Sequence, residues 1–412
     1  MEPGAQTTAG SASRPAAGVP VISVVLPCLD EAGSVGQVVS DALRVAAEAG
    51  LDAEVIVADN GSTDGSAEVA AAAGARVAPA PQRGYGNAYH AGVAAARGRV
   101  LVMADADGTY PMEAIPELVA PILAGDLDLV IGSRLRGSIA TGAMPWTHRR
   151  VGTPLLTGML NRMCGAMVTD AHSGMRAIDR AAYGTLNLAA PGMEYASEMI
   201  VNATRSRLRI GERPIAYRVR AGDSKLHPVP DAWRHVKLLL LASPTWLFLG
   251  PGIVLFLAGA ALVVPLAFGP VSVGPVELVL HPMFFGSALV IVGFEIAEFG
   301  LLARACSPLV GRGDRLGVWL RTRLSIEKAL AASGLAFGAG AAVGIGIFVR
   351  WALNGFAHLG ALRLALVALT LCVLGIQILF GAFLYAFFLP AAFAGGVTSP
   401  SVGLAVARPA AR

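Results

Sequence analysis

Three stretches, VISVVLPCLDE (21–31), AEVIVADNGSTDG (53–65) and RVLVMADADGTY (99–110), share a pattern in which an apolar, β-branched run ends in acidic residues. Continuous apolar runs of this length are typical of buried parallel strands. Two shorter runs, ARVA (75–78) and LDLVIGS (127–133), extend the series, and helical stretches separate the runs. This alternation predicts an α/β domain with a doubly wound, mostly parallel sheet.

The second half of the chain has a different composition. WLFLGPGIVLFLAGAALVVPLAF (246–268) contains no charged residue and is long enough to cross the roughly 30 Å hydrocarbon layer of a bilayer. The chain through Lys237 has a formal charge of −1 and the chain after it +5, which gives the net charge of +4. Similar apolar runs predict an all-α membrane domain of four transmembrane helices, at about 246–268, 283–302, 331–349 and 364–388.

The composition excludes several classes of protein. Hydrophobic residues make up 55% of the 412 residues and charged residues 15%, against roughly 25% charged in soluble domains. A mean hydropathy of +0.61 excludes a mainly disordered chain. The four cysteines have no paired spacing, so neither a disulfide framework nor a zinc site is predicted. Basic residues do not alternate with aromatic ones, so no nucleic-acid partner is expected, while a homo-oligomer stays open.

The distribution of positive charge predicts the topology. The loop over 303–330 is rich in Arg and Lys, whereas the connection over 269–282 has none. The positive-inside rule then places this loop and the α/β domain in the cytoplasm of a multi-pass cell-membrane protein. The stretch over 231–243 is amphipathic at its start, which favours an interfacial helix; the alternative is an extension of the first span. The predicted units are a disordered tail over 1–19, the α/β domain over 20–229, a juxtamembrane helix over 230–244, the membrane domain over 245–390 and a cytoplasmic tail over 391–412.

Acidic residues follow the third apolar run. Ligands bind at the carboxyl ends of strands in doubly wound sheets, where Asp105 and Asp107 lie two residues apart. Carboxylate oxygens suit Mg²⁺ or Mn²⁺, and substrate phosphates usually complete the coordination of such an ion. The pair therefore indicates binding of a nucleotide diphosphate, and the alternative is a cap on the helix that begins at Pro111.

The first two strand ends extend this candidate site. Asp59 and Asn60 leave the second strand at the same sheet edge, and Asp59 is a candidate for hydrogen bonds to a base or ribose. Asp64 is expected to cap the following helix. Arg83, in the glycine-containing loop RGYGNA (83–88), is a candidate for a diphosphate contact; the alternative is a flexible loop before a helix.

Glu295 and Glu298 lie inside the second predicted span. At a spacing of three residues they share one helix face. Intramembrane carboxylates are costly and are usually functional or paired, so we expect this face to avoid lipid. Helix packing and lipid handling both stay open as their role.

The motifs LPCLDE (26–31), ADNGSTDG (58–65), RGYGNA and DADGTYP (105–111), in this order and spacing, resemble family 2 glycosyltransferases with a GT-A fold. The resemblance is closer to the polyprenyl-phosphate glycosyltransferases, the group that contains dolichol-phosphate mannose synthase. It covers about 20–245, and the four predicted spans resemble the membrane extension of multi-span members. Further matching segments are GSRLRG (132–137), MPWTHRRVGT (144–153), DAHSGMRAI (170–178), GMEYASEM (192–199) and GDSKLHP (222–228).

This resemblance implies an inverting transfer of mannose or glucose from GDP-mannose or UDP-glucose to polyprenyl phosphate at the cytoplasmic membrane face, with Mg²⁺ or Mn²⁺. The candidate donor-binding residues are Pro27, Asp30, Glu31, Asp59, Asn60, Arg83 and Asp105. The implied metal contacts are Asp105, Asp107 and Thr109. The implied acceptor-phosphate contacts are Arg134, Arg149, Thr153, Ser173 and Lys225. The implied catalytic residues are Asp107, Arg134 and Arg149.

The chain departs from the family pattern at three of these positions. Asp30 stands where Asn is usual, Thr109 where Gln is usual, and Thr153 where Ser is usual. For Arg134 and Arg149, a solvated or headgroup-facing charge is the alternative to a phosphate contact.

Two other functions compete with this interpretation. A processive polysaccharide synthase carries a QxxRW motif, but here the single Arg–Trp pair, Arg350–Trp351, follows Ile347. A non-catalytic membrane scaffold or flippase partner would not need the acidic motif or the acceptor-side arginines, and both are present. The sequence therefore favours the polyprenyl-phosphate glycosyltransferase.

Overall fold

A seven-stranded sheet forms the centre of the first part of the chain. The computed structural model describes residues 20–222, 228–306, 325–356 and 360–388, together with Trp319. The order β3-β2-β1-β4-β6-β5-β7 is parallel except that β6 runs antiparallel to β4 and β5. The predicted mostly parallel sheet is confirmed. Its strands are β1 Ile22–Cys28, β2 Ala53–Asp59, β3 Arg76–Pro79, β4 Val100–Met103, β5 Leu129–Ser133, β6 Arg176–Asp179 and β7 Ile210–Pro214.

Helices cover both faces of this sheet. Val24 and Leu26 of β1 pack in one apolar cluster with α1 and α4, whereas Val25 packs in another with α3, α7 and α8. Because the strands are buried on both faces, they read as continuous apolar runs in the sequence. The helices are α1 Val35–Glu48, α2 Ser66–Ala72, α3 Tyr85–Ala95, α4 Ile115–Leu123, α5 Thr153–Cys164, α6 Arg180–Gly184, α7 Tyr195–Arg205 and α8 Pro228–Ala242.

The sequence pattern does not predict β6 and β7. RAID (176–179) and IGERP (210–214) are short and contain charged residues. In β6 the buried Arg176 guanidinium donates hydrogen bonds of 2.6–3.1 Å to main-chain carbonyl oxygens of three loop and helix residues. An arginine whose donors are satisfied by the main chain can be buried, although its residue type is typical of a surface.

The cap predicted for α2 is wrong by one residue. The N-cap is Gly65, whose φ of 87° is in the left-handed region that favours glycine. Asp64 instead accepts hydrogen bonds from the backbone N–H of Ser66 at 3.0 Å and of Ala32 at 2.9 Å. Its carboxylate therefore joins the loops after β1 and β2.

The described residues fall into two compact units that divide between Ser243 and Pro244. The second unit has four helices long and apolar enough to cross a membrane, in agreement with the four predicted spans. A short hairpin, β8 Val271–Val273 and β9 Val276–Leu278, connects the first two. The helices are α9 Gly250–Phe268, which follows a π-helical turn over Thr245–Leu249, α10 His281–Cys306, α11 Ile326–Leu353 and α12 Leu362–Phe388.

Small residues bring α9 and α10 together. A Cβ at Gly259 would lie 2.5 Å from the Gly286 carbonyl oxygen, so the two backbones approach as closely as glycine allows. Glu298 of α10 lies against Gly381 of α12, where any added side chain would overlap its carboxylate. This contact agrees with the expectation that Glu298 faces the helix bundle, whereas Glu295 is exposed.

The helix α8 is a separate element. It ends at Ala242, before Pro244, and does not continue directly into the first span. His235 and Leu239 are buried in the α/β unit, while Trp233 and Leu241 are exposed. An interfacial position for this helix stays a prediction, as do the domain limits. The predicted tails, 1–19 and 391–412, lie outside the described residues.

Candidate active site

The loops after β1, β2 and β4 meet at one edge of the sheet because these three strands are neighbours and parallel. Asp30 joins the first two loops: its backbone N–H donates to Ser62 Oγ at 3.0 Å, and its Oδ1 accepts from the Thr63 N–H at 2.7 Å. Ser34 Oγ joins the first to the third by donating to the Ala106 carbonyl at 2.8 Å. These hydrogen bonds cross-link the three loops at this edge of the sheet.

Asn60 and Arg83 lie in connected loops. The Asn60 amide donates to the carbonyls of Ala80 and Gln82, and its Oδ1 accepts from the Gly84 N–H at 2.8 Å. These bonds hold the loop that carries Arg83 over the end of β2, where Arg83 Nη2 lies 3.8 Å from the position of a Cβ on Gly61. The structure therefore gives Asn60 a bracing role and places Arg83 beside the loop that begins with Asp59.

Asp59 and Pro27 lie at the ends of β2 and β1. Asp59 Oδ1 accepts one hydrogen bond, from the Ser62 N–H at 3.1 Å. Both residues are partly exposed and pair with neighbours across the two strands. They line the same edge as Asp105 and Asp107, as predicted, and their donor contacts stay predictions.

Asp105 is half-buried beside aromatic residues. Tyr85 donates its hydroxyl to Asp105 Oδ1 at 2.9 Å, and Tyr89 packs edge to face on Tyr85 with ring centroids 4.9 Å apart. Burial and then the negative charge of Asp107 raise the pKa of the Asp105 carboxyl above its usual value. Burial also raises the pKa of Tyr85, so its hydroxyl stays protonated and can donate.

Both oxygens of Asp107 have partners. Oδ1 accepts from the Thr109 backbone N–H at 3.0 Å and from its hydroxyl at 2.6 Å. Oδ2 forms an ion pair with Arg220 Nη2 at 3.1 Å, and the same nitrogen donates to Glu31 Oε1 at 3.2 Å. Thr109 is thus placed as a partner of Asp107, and its predicted direct contact with a metal stays a prediction.

The residues at this edge fit a divalent cation held jointly with a substrate. Among the described residues, no group of three His, Cys, Asp or Glu side chains could hold a metal alone. Mg²⁺ is commonly bound by one or two carboxylates together with substrate phosphates. The cationic Arg220 group already lies on Asp107 Oδ2, where a positive charge is stabilised. Asp105 and Asp107 would hold the ion, which would neutralise charge on a diphosphate.

The predicted acceptor segment meets the acidic motif. The Gly174 N–H donates to Tyr110 Oη at 2.7 Å, and a Cβ on Gly174 would lie 3.1 Å from Asp105 Oδ2. The neighbouring Ser173 is fully buried, and its hydroxyl has no hydrogen-bond partner among the described residues. The structure therefore brings Ser173 next to Asp105 and Asp107, as expected if the predicted donor and acceptor residues belong to one site.

Arg134 is bound to Asp170. Two parallel hydrogen bonds of 2.8 Å join Arg134 Nε and Nη2 to the two carboxylate oxygens, and the guanidinium carbon lies 5.2 Å from the centre of the Tyr217 ring. Burial alone would raise the pKa of Asp170, but the charge and hydrogen bonds of Arg134 outweigh it and lower that pKa. Asp170 thus occupies two of the guanidinium nitrogens predicted to contact the acceptor.

The other acceptor candidates lie apart from these contacts. Arg149 is exposed in a π-helical turn over His148–Gly152, and Thr153 begins α5 directly after it. A helix N-terminus favours anions. Lys225 lies outside the described residues. For these three residues the predicted phosphate contacts stay predictions.

Sequence reasoning missed Arg220, Tyr85 and Tyr110 as site residues. Tyr85 and Tyr110 belong to motifs already recognised, RGYGNA and DADGTYP, and Arg220 lies two residues before GDSKLHP. Their position in or beside these motifs is the sequence signal that could have identified all three as site residues. Arg220 could not be paired from sequence, because 189 positions separate it from Glu31.

Comparisons with known proteins agree with these observations. Residues 23–186 match Glycosyl transferase family 2, and residues 306–389 match the Glycosyltransferase family 2 C-terminal transmembrane region. The low-salt glycan biosynthesis hexosyltransferase Agl6 of Haloferax volcanii is 39% identical over 366 residues, which cover 89% of this chain and 88% of the relative. The dolichyl-phosphate hexose transferase of the same organism is 34% identical over 207 residues, covering 50% and 87%.

A weaker similarity exists to a solved structure. Glucosyl-3-phosphoglycerate synthase from Mycobacterium tuberculosis, in complex with Mn²⁺ and UDP-glucose, is 29% identical. The alignment covers 54% of this chain and 78% of the other, with a TM-score of 0.43. At that score we assign no ligand from it.

Proposed function

The chain belongs to glycosyltransferase family 2, and from that premise we propose that it transfers mannose or glucose from GDP-mannose or UDP-glucose to a polyprenyl phosphate of the dolichyl or undecaprenyl type. The relatives support the hexosyl group and the lipid acceptor, since one is named a hexosyltransferase and another a dolichyl-phosphate hexose transferase. The transfer inverts the configuration at the anomeric carbon, which converts an α-linked donor into a β-linked lipid phosphosugar.

One observation carries this proposal. The segment with Ser173 and Gly174 is hydrogen-bonded to Tyr110 of the acidic motif and packs beside Asp105. A donor diphosphate near Asp105 and Asp107 would therefore have its sugar beside a segment with an unused buried hydroxyl. This arrangement suits a direct displacement between two bound substrates.

The chemistry needs little acid–base help from the protein. The second pKa of a phosphate monoester is about 6, so a lipid phosphate is largely deprotonated and nucleophilic at pH 7. Arg149, beside the N-terminus of α5, would hold that phosphate, with Thr153 as a hydroxyl donor. A bound Mg²⁺ or Mn²⁺ would stabilise the leaving nucleoside diphosphate. Orientation and fixed charges then supply most of the rate enhancement.

The membrane unit gives the reaction its location. The protein is a multi-pass membrane protein. We assign the α/β unit to the cytoplasmic face of the cell membrane because the connection between the second and third spans is rich in basic residues. Nucleotide sugars are cytoplasmic substrates in this assignment, and the lipid phosphate enters from the bilayer. No nucleic acid takes part.

A transfer assay tests the proposal. The full chain in detergent receives Mn²⁺ or Mg²⁺, a short polyprenyl phosphate and one radiolabelled nucleotide sugar at a time. One donor should deliver label to the organic phase, and Asp107→Asn should reduce the rate by about 10³-fold, equivalent to about 4 kcal/mol. The control is Asp41→Asn, which removes a carboxylate from an exposed ion pair with Arg44 on α1. Absence of transfer from every donor, with the wild type folded, would contradict the proposal.

A further inference from the structure

Arg220 holds two carboxylates of the donor edge through one nitrogen. Its Nη2 lies 3.1 Å from Asp107 Oδ2 and 3.2 Å from Glu31 Oε1. Asp107 and Glu31 are buried, and the Arg220 side chain is 24% exposed. Two buried acids without a cation would repel each other at this edge, so the guanidinium stabilises them.

A divalent cation on Asp107 would compete with Arg220. Thr109 already occupies Asp107 Oδ1 with two hydrogen bonds, which leaves Oδ2 as the oxygen oriented toward a positive charge. That oxygen is the one paired with Arg220. A metal that coordinates Oδ2 would place like charges in contact unless the guanidinium moves away.

Hydrogen bonds on either side of Arg220 hold its backbone in place, while its side chain keeps a hydrogen-bond donor that no described residue uses. The Ala221 N–H donates to the Asp107 carbonyl at 3.2 Å, and the Arg218 N–H donates to the Thr109 carbonyl at 2.9 Å. Arg220 Nε is buried and has no hydrogen-bond partner among the described residues. The side chain can therefore change partner beside the acidic motif, and its unused donor favours an anion with several acceptor oxygens.

We propose that, when no donor is bound, Arg220 neutralises Asp107 and Glu31 and occupies the position on Asp107 Oδ2 that the divalent cation would take. It moves to the donor diphosphate when metal and nucleotide enter together. The choice of a diphosphate as its second partner rests on the proposed function. Arg220 is then a positioning residue before binding and a diphosphate contact afterwards. Its effect is to suppress binding of the metal alone and to favour joint binding of metal and nucleotide.

The first test measures Mn²⁺ binding without nucleotide. The electron paramagnetic resonance signal of free Mn²⁺ is followed during titration of the full-length protein in detergent. Arg220→Gln should bind Mn²⁺ about ten-fold more tightly than the wild type, because a competing positive charge is gone. Arg218→Gln is the matched control, since Arg218 lies two residues away and pairs with exposed Glu113. Unchanged or weaker Mn²⁺ binding by folded Arg220→Gln would overturn the proposal.

A second test adds the nucleotide. With saturating UDP, and separately GDP, the wild type should gain Mn²⁺ affinity, and the gain should be about ten-fold smaller in Arg220→Gln because the diphosphate contact is lost. Arg220→Lys keeps the charge but not the planar fork, so it should bind Mn²⁺ alone like the wild type and still show the smaller gain. Equal gains in the wild type and both variants would overturn the second half of the proposal.

These readouts do not depend on the acceptor. If Arg220→Gln binds Mn²⁺ more tightly but the wild type transfers no hexose to polyprenyl phosphate, the exchange of cations stands and the proposed function fails. If the wild type transfers hexose and Mn²⁺ binding is the same in Arg220→Gln, the proposed function stands and this inference fails.

Discussion

Arg134 and Arg220 both bind carboxylates in the α/β unit, but they do so differently. Arg134 and Asp170 are buried and share two parallel 2.8 Å hydrogen bonds. Arg220 contacts Asp107 and Glu31 through one nitrogen at longer distances, and its buried Nε has no partner among the described residues. Arg134 and Asp170 form a closed region, in which the two side chains satisfy each other's hydrogen bonds. Arg220, Asp107 and Glu31 form an open region, in which a buried donor of Arg220 is unused among the described residues and can bind a ligand. We expect substitutions in the first to change stability and substitutions in the second to change function.

The largest expected effect is in the closed region. Asp170→Ala leaves Arg134 buried without its partner, which costs about 3–5 kcal/mol and lowers the melting temperature by more than about 6 °C. The same bidentate geometry occurs on the surface between Arg209 and Asp128. Asp128→Ala, the matched control, should cost about 1 kcal/mol or less. Thermal melts of the full chain, followed by near-ultraviolet circular dichroism, give the melting temperatures of both variants. Equal decreases for Asp170→Ala and Asp128→Ala would show that the buried pair is no more important for stability than the surface pair.

The stability of the α/β unit should also depend on pH, through a buried cluster of Ser197, His172 and His235. Ser197 Oγ lies 2.8 Å from His235 Nδ1 and 3.3 Å from His172 Nε2. Burial lowers the pKa of His172 to about 3 and that of His235 to about 4, from an ordinary value of 6.5. Both stay neutral in the folded protein while the unfolded chain takes up protons, so stability is full above pH 6.5 and is lost as the pH falls toward 4.

The slope of that loss is about 1.4 kcal/mol per pH unit for each histidine. Melting temperatures of the full chain between pH 7.5 and 4.5 should therefore fall, and the fall should be shallower in the double variant His172→Gln, His235→Gln. His148→Gln, in the partly exposed turn before α5, is the control and should keep the wild-type slope. A double variant with an unchanged slope would show that these histidines do not set the acid limit.

The smallest effect is expected at Arg149, an exposed residue that is predicted to contact the acceptor phosphate. Arg149→Gln should raise the KM for polyprenyl phosphate about ten-fold, because one charged phosphate contact is lost, and should leave the melting temperature within about 2 °C. Arg150→Gln is the matched control, as this neighbouring arginine is also exposed. Steady-state transfer rates against lipid concentration give the KM. Equal effects of the two variants would indicate general attraction of an anionic lipid rather than a defined contact.

The closed and open regions were not equally predictable. Strands β1, β2 and β4 are apolar runs buried on both faces, so the sequence pattern predicts them and the acidic residues at their ends. Strand β6 was missed because Arg176 is buried through main-chain carbonyls that only the folded chain brings near it. The pairing of Arg134 with Asp170 was missed for a similar reason, since 36 positions separate them.

The positions of the site residues were most predictable where one loop contains the whole feature, and their ligand contacts stay predictions. Asp105 and Asp107 lie in one loop, and their association follows from their spacing. Asn60 was expected at the donor edge, and the structure adds that its amide braces the loop of Arg83. Arg220 depends on a contact between distant segments, so no local pattern contains it. Local sequence motifs therefore reveal the acidic loops of the site more readily than the distant arginine that neutralises them.

The most direct test of the proposed function compares two acceptors of equal chain length. The full-length protein in detergent receives its preferred labelled donor with either polyprenyl phosphate or the corresponding polyprenol, and the lipid products are identified by mass spectrometry. The account predicts a hexosyl phosphodiester from the phosphate and no detectable product from the alcohol, because the deprotonated phosphate is the nucleophile. Comparable transfer to polyprenol, or release of free hexose as the main product with both lipids, would contradict it.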